Sequence, residues 1–153
     1  MVKILFVCWG NICRSPMAEF IMKDMVERRG LADEFLIESA AHTSEEIGNP
    51  VYPPARRELA RHGISCAGKK ARKMTAGDYA KYDWILGMED LNLGYMLRIL
   101  GGDPEHKVRR LLDFSDRPRD IADPWYTGEF GQTYTDIVEG CKALLEYLHA
   151  LSV

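Results

Sequence analysis

Residues 2–16 read VKILFVCWGNICRSP, and this stretch decides how the rest of the chain can be folded. Its first six residues form a nearly continuous apolar run, as expected of a strand that is covered on both faces. Cys8 stands where that run stops, and Arg14 follows six positions later. Ser15 and Pro16 then open a segment whose apolar residues have helical spacing. The stretch therefore predicts a strand, a tight loop and a helix.

Strands and helices alternate along the rest of the chain. Apolar runs predict further strands at 35–41, 82–88 and, more weakly, 108–114. Helical spacing predicts helices at 16–29, 55–62, 89–100 and from about residue 135 onward. Alternation of this kind indicates a parallel sheet with helices on both faces, and such folds bind ligands beyond the carboxyl ends of the strands. No repeat, low-complexity tract or linker divides the chain, so we expect one domain over residues 1–153.

The composition excludes several classes of protein. Lys plus Arg number 20 against 23 Asp plus Glu, with no long run of either sign, so nucleic acid is not an expected partner. No apolar segment approaches the length of a membrane span, and no signal-peptide pattern is visible. The four cysteines lack the CxxC spacing of a zinc site or a disulfide framework. We therefore expect a cytoplasmic protein without membrane contact, metal or cofactor.

The histidines offer no metal site in the sequence. They are scattered without ligand spacing, and we expect them at the surface or at helix ends: His42, His62, His106 and His149.

The span from Cys8 to Arg14 has the properties of an anion-binding loop. It can curl so that successive backbone N–H groups point inward, with Gly10 permitting close backbone approach and Asn11 tolerating a left-handed conformation. Ser15 and the proline after it suit the N-cap and the first helical position, which would direct the positive helix end at the loop. With the guanidinium fork of Arg14, these features describe a phosphate-sized site.

Cys8 would lie beneath a phosphoryl group bound in that loop. The positive field of the helix end and of Arg14 favours its thiolate form, and the Ser15 hydroxyl is placed to donate to the sulfur. A thiolate in that position is a nucleophile for covalent catalysis. The alternative is that Cys8 is an ordinary buried residue at a strand end. That alternative does not explain why the loop and helix signals align with Cys8.

A covalent route also needs an acid for the leaving oxygen, and the loop after the fourth strand offers three aspartates. Asp123 ranks above Asp116 and Asp120 because a proline restrains its backbone. Trp125 and Tyr126 follow, and their rings are able to wall an aromatic substrate.

A second Cys-x5-Arg, CAGKKAR at 66–72, shows that the spacing alone is weak evidence. It overlaps GISCAGKK at 63–70, which is close to a Walker sequence but lacks the Ser or Thr needed for magnesium. No buried strand precedes it. We interpret 65–73 as a solvated basic loop in which Cys66 is a bystander.

The first motif resembles the signature of a known family. VCWGNICRSPMAE (7–19) is similar to the signature of the low-molecular-weight protein tyrosine phosphatases, and DPWY (123–126) to their general-acid loop. Other stretches fall in family order along nearly the whole chain: SAA (39–41), RHGI (61–64), AR (71–72) and DWILGMEDLN (83–92). The resemblance implies hydrolysis of phosphotyrosine through a phosphocysteine intermediate. Cys8 would be the nucleophile, Arg14 the phosphate clamp, and Asp123 the acid and then the base.

The resemblance also assigns supporting residues and partners. The phosphate-binding loop would comprise Trp9, Gly10, Asn11, Ile12, Cys13 and Ser15. Asn11, Ser15 and Ser39 would belong to the network holding that loop, and Trp9, Trp125 and Tyr126 would wall the substrate pocket. Cys13 matches the second cysteine of the family, which can form a reversible disulfide with the nucleophile. Expected partners are a phosphotyrosine protein or peptide and inhibitory phosphate, vanadate or sulfate-like anions.

The expected fold is an α/β domain with an open parallel sheet of about four strands. Its order would be 2-1-3-4, as in flavodoxin-like proteins, with helices on both faces and the phosphate-binding loop after strand 1.

The chain departs from the family pattern around the pocket. Glu45 and Glu46 stand where many relatives carry a tryptophan, and 52–54 read Tyr-Pro-Pro where Asp-Pro-Arg is usual. The histidine that often precedes Ala-Arg is replaced within 68–70. Trp9 is bulkier than the usual residue beside the nucleophile. We therefore expect one pocket wall to be rebuilt, with Trp9 and Trp125 compensating.

Three alternatives share parts of this pattern. Thioredoxin-coupled arsenate reductases look similar at the first motif but use further cysteines on a mid-chain segment, and 82–92 has none. Relatives that hydrolyse phosphoarginine carry threonine at the position of Ile12, so Ile12 favours phosphotyrosine. A non-catalytic phosphate-binding module could dispense with Cys8 or Asp123, and both are present.

Overall fold

The computed structural model describes residues 1–152, and at its centre lies a parallel four-stranded sheet. The strands are β1 (Val2–Cys8), β2 (Phe35–Ala41), β3 (Trp84–Gly87) and β4 (Val108–Arg110). Their order across the sheet is β2-β1-β3-β4, and every pairing is parallel. The predicted parallel sheet of order 2-1-3-4 is confirmed.

Over residues 1–152, six helices accompany the sheet. They are α1 (Arg14–Arg28), α2 (Pro53–Arg61), α3 (Asp78–Lys81), α4 (Asp90–Leu100), α5 (Pro124–Thr127) and α6 (Phe130–Ser152). Two single 3-10 turns, Ala32–Glu34 and Leu111–Phe114, complete the regular structure.

β1 is apolar from Ile4 onward because helices cover both of its faces. Ile4 and Phe6 point into a core shared with α1 and α6, whereas Leu5 and Val7 point into a second core on the side of α4. All four are fully buried. Alternate residues of a strand face opposite sides of the sheet, so two cores require a continuous apolar run. The strand delivers Cys8 to the carboxyl edge, opposite Ala41 of β2.

The predicted fourth strand at 108–114 is wrong beyond its third residue. The chain pairs with β3 only over Val108–Arg110 and then turns into a 3-10 helix. Leu111 and Leu112 are consecutive and both fully buried, whereas neighbouring strand residues face opposite sides. Leu111 packs against Gly140 of α6 so closely that a Cβ there would lie 2.5 Å from its Cγ.

The last helix begins earlier than its apolar stripe indicates. α6 starts at Phe130, five residues before the predicted start near residue 135. Its first turn contains polar residues, of which Thr133 is buried and donates its hydroxyl to the Glu129 carbonyl. The spacing of apolar residues does not predict a polar first helical turn of this kind.

Candidate active site

A pocket of about 540 Å³ lies where β1 ends, and the turn after β1 forms its floor. Cys8, Cys13 and Arg14 all line it, together with Trp9, Gly10 and Ile12. Asn11 is the one member of the turn that does not line the pocket. Its backbone is left-handed, with φ of 59°, as predicted, and its side chain is directed into the protein.

The sulfur of Cys8 receives two donors from one residue. The Ser15 hydroxyl lies 3.0 Å from Sγ, and the Ser15 backbone N–H points at the same atom at 3.4 Å. The predicted contact between Ser15 and the sulfur is therefore present. Cys8 is 3% exposed, so little solvent reaches this arrangement.

The predicted role of Ser15 as an N-cap is wrong. α1 begins at Arg14, with Cys13 as its N-cap, and no side chain caps the helix. The Ser15 hydroxyl is occupied with the sulfur and with Asn11, so it cannot fold back onto the helix. The Ser15 N–H points at the sulfur and Pro16 has none, so the N–H of Arg14 and those of the preceding loop are the ones that an anion in the pocket can use.

Asn11 connects the loop to β2. Its Nδ2 donates to Ser15 Oγ at 2.8 Å and to Ser39 Oγ at 2.9 Å. Its Oδ1 accepts the backbone N–H of Arg72 at 3.2 Å. The three contacts hold the strained left-handed residue in place, and they join the three residues that the resemblance assigned to one network.

Arg14 is buried in the pocket floor and is held on both branches of its guanidinium. Nη1 donates to Glu89 Oε2 at 2.7 Å and to the Ile121 carbonyl at 2.8 Å. Nη2 lies 3.3 Å from Asp123 Oδ2. The arginine is 2% exposed, so its orientation is fixed before any ligand binds.

Glu89 is a site residue that sequence reasoning missed. It directly precedes α4 and caps that helix, while its carboxylate orients Arg14. One signal was available, because a carboxylate two residues after β3 lies at the same sheet edge as Cys8.

Asp123 is the aspartate that the structure brings to the pocket. Its Oδ1 accepts the Trp125 backbone N–H at 3.0 Å, and its other oxygen faces Arg14. Asp120 instead accepts from the Asp90 backbone and from Arg110. Asp116 and Asp120 do not line the pocket.

One pocket wall is an aromatic cluster built on Trp9. The Trp9 ring meets Tyr95 and His42 edge-on, with centroids 5.5 Å and 5.2 Å apart, and its Nε1 donates to Glu45 at 2.9 Å. His42 stacks on Tyr95 and is buried, so its predicted surface location is wrong. Burial, assisted by the charge of Arg14, lowers the pKa of His42 to about 4 and keeps its ring neutral.

The opposite wall is more open. Trp125 and Tyr126 both line the pocket but are 53% and 84% exposed. The Trp125 ring packs on Tyr52, with centroids 4.8 Å apart. Tyr52 belongs to the stretch that departs from the family pattern. The predicted walls, Trp9 and Trp125, therefore both line the pocket, and they contact Glu45 and Tyr52 respectively.

Cys13 lines the pocket as well and is 6% exposed. Burial and the neighbouring Cys8 raise the pKa of Cys13 far above that of an exposed thiol. Cys13 is thus a neutral thiol near neutral pH. All four cysteines of the chain are free.

The interpretation of 65–73 as a solvated basic loop fits its exposed residues, such as Lys70 and Lys73, but is wrong at the residues that turn inward. Cys66 is 5% exposed and belongs to the main core. Lys69 is only 13% exposed, donates to the Ser39 carbonyl at 2.9 Å and lies 3.3 Å from Glu19 Oε1. The buried carboxylate of Glu19 gives this lysine a reason to fold inward.

Over residues 1–152, no group of three or more His, Cys, Asp or Glu side chains is placed to hold a metal ion. Within the same residues, no helix has the length and apolar character to cross a membrane.

Comparison with known proteins gives consistent matches over nearly the whole chain. The profile of the family described as low molecular weight phosphotyrosine protein phosphatase matches residues 3–152. The chain is 38% identical over 147 residues to the low molecular weight protein-tyrosine-phosphatase YfkJ of Bacillus subtilis (strain 168), covering 95% of this chain and 94% of that protein. It is 36% identical over 152 residues to the low molecular weight phosphotyrosine protein phosphatase of Homo sapiens, with 96% of each covered.

Solved structures agree with these sequence matches. The crystal structure of YfkJ from Bacillus subtilis has a TM-score of 0.96 and 36% identity, covering 100% of this chain and 98% of that one. The crystal structure of DARP, a drosophila arginine phosphatase, has a TM-score of 0.86 and 32% identity, covering 96% and 98%.

Proposed function

This chain belongs to the low molecular weight phosphotyrosine protein phosphatase family, and we propose that it hydrolyses phosphotyrosine in proteins or peptides through a phosphocysteine on Cys8. The proposal rests on the groups that surround the Cys8 sulfur. Two donors from Ser15 point at it, and Arg14 and Asp123 line the same pocket. We place this activity in a single domain over residues 1–153, acting in the cytoplasm, where four free cysteines are expected.

In the first step the phosphoryl group would bind over the loop. The backbone N–H groups at the start of α1 and the guanidinium of Arg14 would hold its oxygens, and the thiolate of Cys8 would attack phosphorus. The S–P bond forms as the P–O bond to the tyrosine breaks. Asp123, protonated in this step, would give its proton to the departing phenolic oxygen. Arg14, which is held by the Glu89 carboxylate and the Ile121 carbonyl, would stabilise the charge that develops on the phosphoryl oxygens.

In the second step water would replace the cysteine. Asp123, now a carboxylate, would take a proton from that water as the new P–O bond forms and the S–P bond breaks. The products are inorganic phosphate and the thiolate, which the Ser15 hydroxyl would stabilise as the leaving group. Phosphate, vanadate and sulfate-like anions would inhibit by occupying the same loop.

The walls support an aromatic substrate. Trp9 and Tyr95 on one side and Trp125 on the other leave a slot in which a phenyl ring can be covered. Phosphoarginine is the second candidate, because the similar structure of DARP is that of an arginine phosphatase. The acidic Glu45 and Glu46 at the mouth would suit a guanidinium, whereas the apolar Ile12 in the loop favours an aryl group.

The direct test is a comparison of kcat/KM for peptides of one sequence carrying phosphotyrosine, phosphoserine or phosphoarginine. We expect phosphotyrosine to be hydrolysed fastest. A higher kcat/KM for phosphoarginine would favour the second candidate, arginine phosphatase activity. Equal kcat/KM values for all three peptides would show that the aromatic walls do not select the substrate.

The glutamates at the mouth are expected to select basic substrates. Glu45 and Glu46 line the pocket, and no cationic side chain of residues 1–152 pairs with either within 4 Å. Over a few ångströms near a protein surface, one charge pair changes affinity by about 3- to 10-fold. A phosphotyrosine peptide with flanking lysines is therefore expected to exceed its glutamate-flanked counterpart in kcat/KM. Glu45→Gln with Glu46→Gln is expected to shrink that ratio about 10-fold.

Glu34→Gln is the matched control for this measurement, because Glu34 is exposed in the 3-10 turn at Ala32–Glu34 and does not line the pocket. Its substrate ratio is expected to equal that of the parent. A ratio near one in the parent itself would contradict the selection of basic peptides.

Cys13 is expected to protect Cys8 from irreversible oxidation. Both thiols line one pocket, and the Cys13 sulfur would attack a sulfenic acid formed on Cys8, passing its proton to the departing hydroxyl so that water is released and a disulfide closes. Activity lost to peroxide is therefore expected to return with thiol in the parent and to be lost permanently in Cys13→Ser. The measurement is the recovered fraction of kcat, with Cys66→Ser as the buried control. Equal recovery in the parent and in Cys13→Ser would show that Cys13 only packs.

A further inference from the structure

A continuous chain of polar contacts joins the Cys8 sulfur to a charged pair on the other side of the loop. From Cys8 it passes to the Ser15 hydroxyl, to the Asn11 amide and to the Ser39 hydroxyl. Ser39 Oγ then lies 2.5 Å from Glu19 Oε1. Each of these residues is less than 5% exposed, so water does not compete for the contacts.

The chain contains a charge that the mechanism leaves unused. Glu19 is buried, and two ammonium groups contact its carboxylate. Lys23, on the same helix, approaches Oε2 at 2.6 Å but is 44% exposed. Lys69 approaches Oε1, the oxygen that faces Ser39, and is 13% exposed. Lys69 also donates to the Ser39 carbonyl at 2.9 Å, so it contacts two members of the chain.

The Glu19 carboxylate determines which partner donates in the hydrogen bonds that link Glu19, Ser39, Asn11 and Ser15. A carboxylate only accepts, so the Ser39 hydroxyl donates to Glu19 and must accept from Asn11. The Asn11 amide cannot turn over, because its oxygen already accepts the Arg72 N–H. Its second Nδ2 hydrogen therefore goes to Ser15. The Ser15 proton then has two acceptors within reach, the Cys8 sulfur at 3.0 Å and the Ala40 carbonyl at 3.4 Å, and the shorter contact is the one to the sulfur.

We propose that Lys69 is a positioning residue for the nucleophile, holding the Glu19 carboxylate so that the Ser15 proton is directed at Cys8. This inference rests on the proposed function, and it extends the phosphate-binding loop to a residue outside the pocket. Burial lowers the pKa of Lys69, and the Glu19 carboxylate opposes that shift. Arg72 and Lys23 are the other charges acting on Lys69. Arg14 acts on Cys8, and Arg14, Asp123 and Glu46 act on the neighbouring Cys13.

Lys69→Gln tests the proposal because glutamine can still donate a hydrogen bond but carries no charge. The first readout is the pH dependence of Cys8 inactivation by iodoacetate, which reports the thiolate without requiring turnover. The midpoint is expected to rise by about 0.5–1 pH unit, the equivalent of a 3- to 10-fold change that one hydrogen bond contributes. The kcat for a phosphotyrosine peptide is expected to fall by about the same factor, with KM changed less.

Two further lysine variants separate charge from structure. Lys69→Arg keeps the cation and is expected to restore most of both losses. Lys70→Gln removes the same charge from the exposed neighbouring residue and is expected to behave like the parent. Should Lys69→Gln fold poorly, Lys23→Gln is expected to move the inactivation midpoint in the same direction by a smaller amount.

A parent-like midpoint in both Lys69→Gln and Lys23→Gln would overturn the proposal. So would a loss of rate and of thermal stability that Lys69→Arg fails to restore, because that result would assign Lys69 a structural role only. An enzyme inactive toward all phosphopeptides would refute the proposed function, whereas the iodoacetate midpoints would still decide the role of Lys69.

Discussion

Cys8→Ser is expected to abolish hydrolysis of a phosphotyrosine peptide, with a loss of at least about 10⁴-fold in kcat. A serine hydroxyl is a poor nucleophile at neutral pH, and no base that would activate it lies among the residues that contact Cys8. The loop N–H groups and Arg14 do not depend on the sulfur. Inorganic phosphate and vanadate are therefore expected to bind with dissociation constants within a few-fold of the parent's.

Two variants make that measurement specific. Cys8→Ala is expected to be equally inactive, because it removes the nucleophile without adding a hydroxyl. Cys66→Ser replaces a thiol of the core that does not line the pocket, and its kcat is expected to stay near the parent's. Full activity in either Cys8 variant would contradict the phosphocysteine mechanism.

Asp123→Asn is expected to have the second largest effect, about 10²- to 10⁴-fold in kcat on a phosphotyrosine peptide. An acid matters most when the leaving group is poor, and the phenol of tyrosine has a pKa of about 10. Formation of the phosphocysteine is therefore expected to slow less with an activated aryl phosphate such as nitrophenyl phosphate. Asparagine can still accept the Trp125 N–H, so the short helix α5 keeps its cap.

Asp120→Asn and Asp116→Asn are the matched controls for the acid. Asp120 contacts the Asp90 backbone and Arg110 rather than the pocket, and Asp116 is exposed. Both variants are expected to keep kcat near the parent's on both substrates. A large, leaving-group-dependent loss in Asp120→Asn, with none in Asp123→Asn, would show that the acid has been misassigned.

The centre of the fold could be predicted because its signals are local. The apolar run of β1 reports burial on two faces, and the left-handed Asn11 and the cysteine after the strand follow from residue types alone. The fourth strand could not be bounded in this way. Leu111 and Leu112 read as a continuation of an apolar strand, and only their packing against α6 turns them into a 3-10 helix.

The site could be predicted where its residues are neighbours in sequence and not where the fold brings distant ones together. Glu89 and Tyr95 approach the loop from α4, and Lys69 approaches it from the loop after α2. A histidine without ligand spacing reads as a surface residue, yet His42 is buried because it stacks on Tyr95 and Trp9 meets it edge-on. These contacts are tertiary, and no spacing along the chain encodes them.

The phosphocysteine on Cys8 is the intermediate on which the mechanism depends, and it can be trapped directly. Asp123→Asn with nitrophenyl phosphate is the favourable case, because the leaving group needs little acid whereas hydrolysis of the intermediate still lacks its base. The measurement is a rapid acid quench during turnover, followed by mass spectrometry of the peptide that contains Cys8. We predict one phosphoryl group on Cys8, absent from the same experiment with Cys8→Ser. A phosphoryl group on any other residue, or an unmodified Cys8 throughout turnover, would contradict the account.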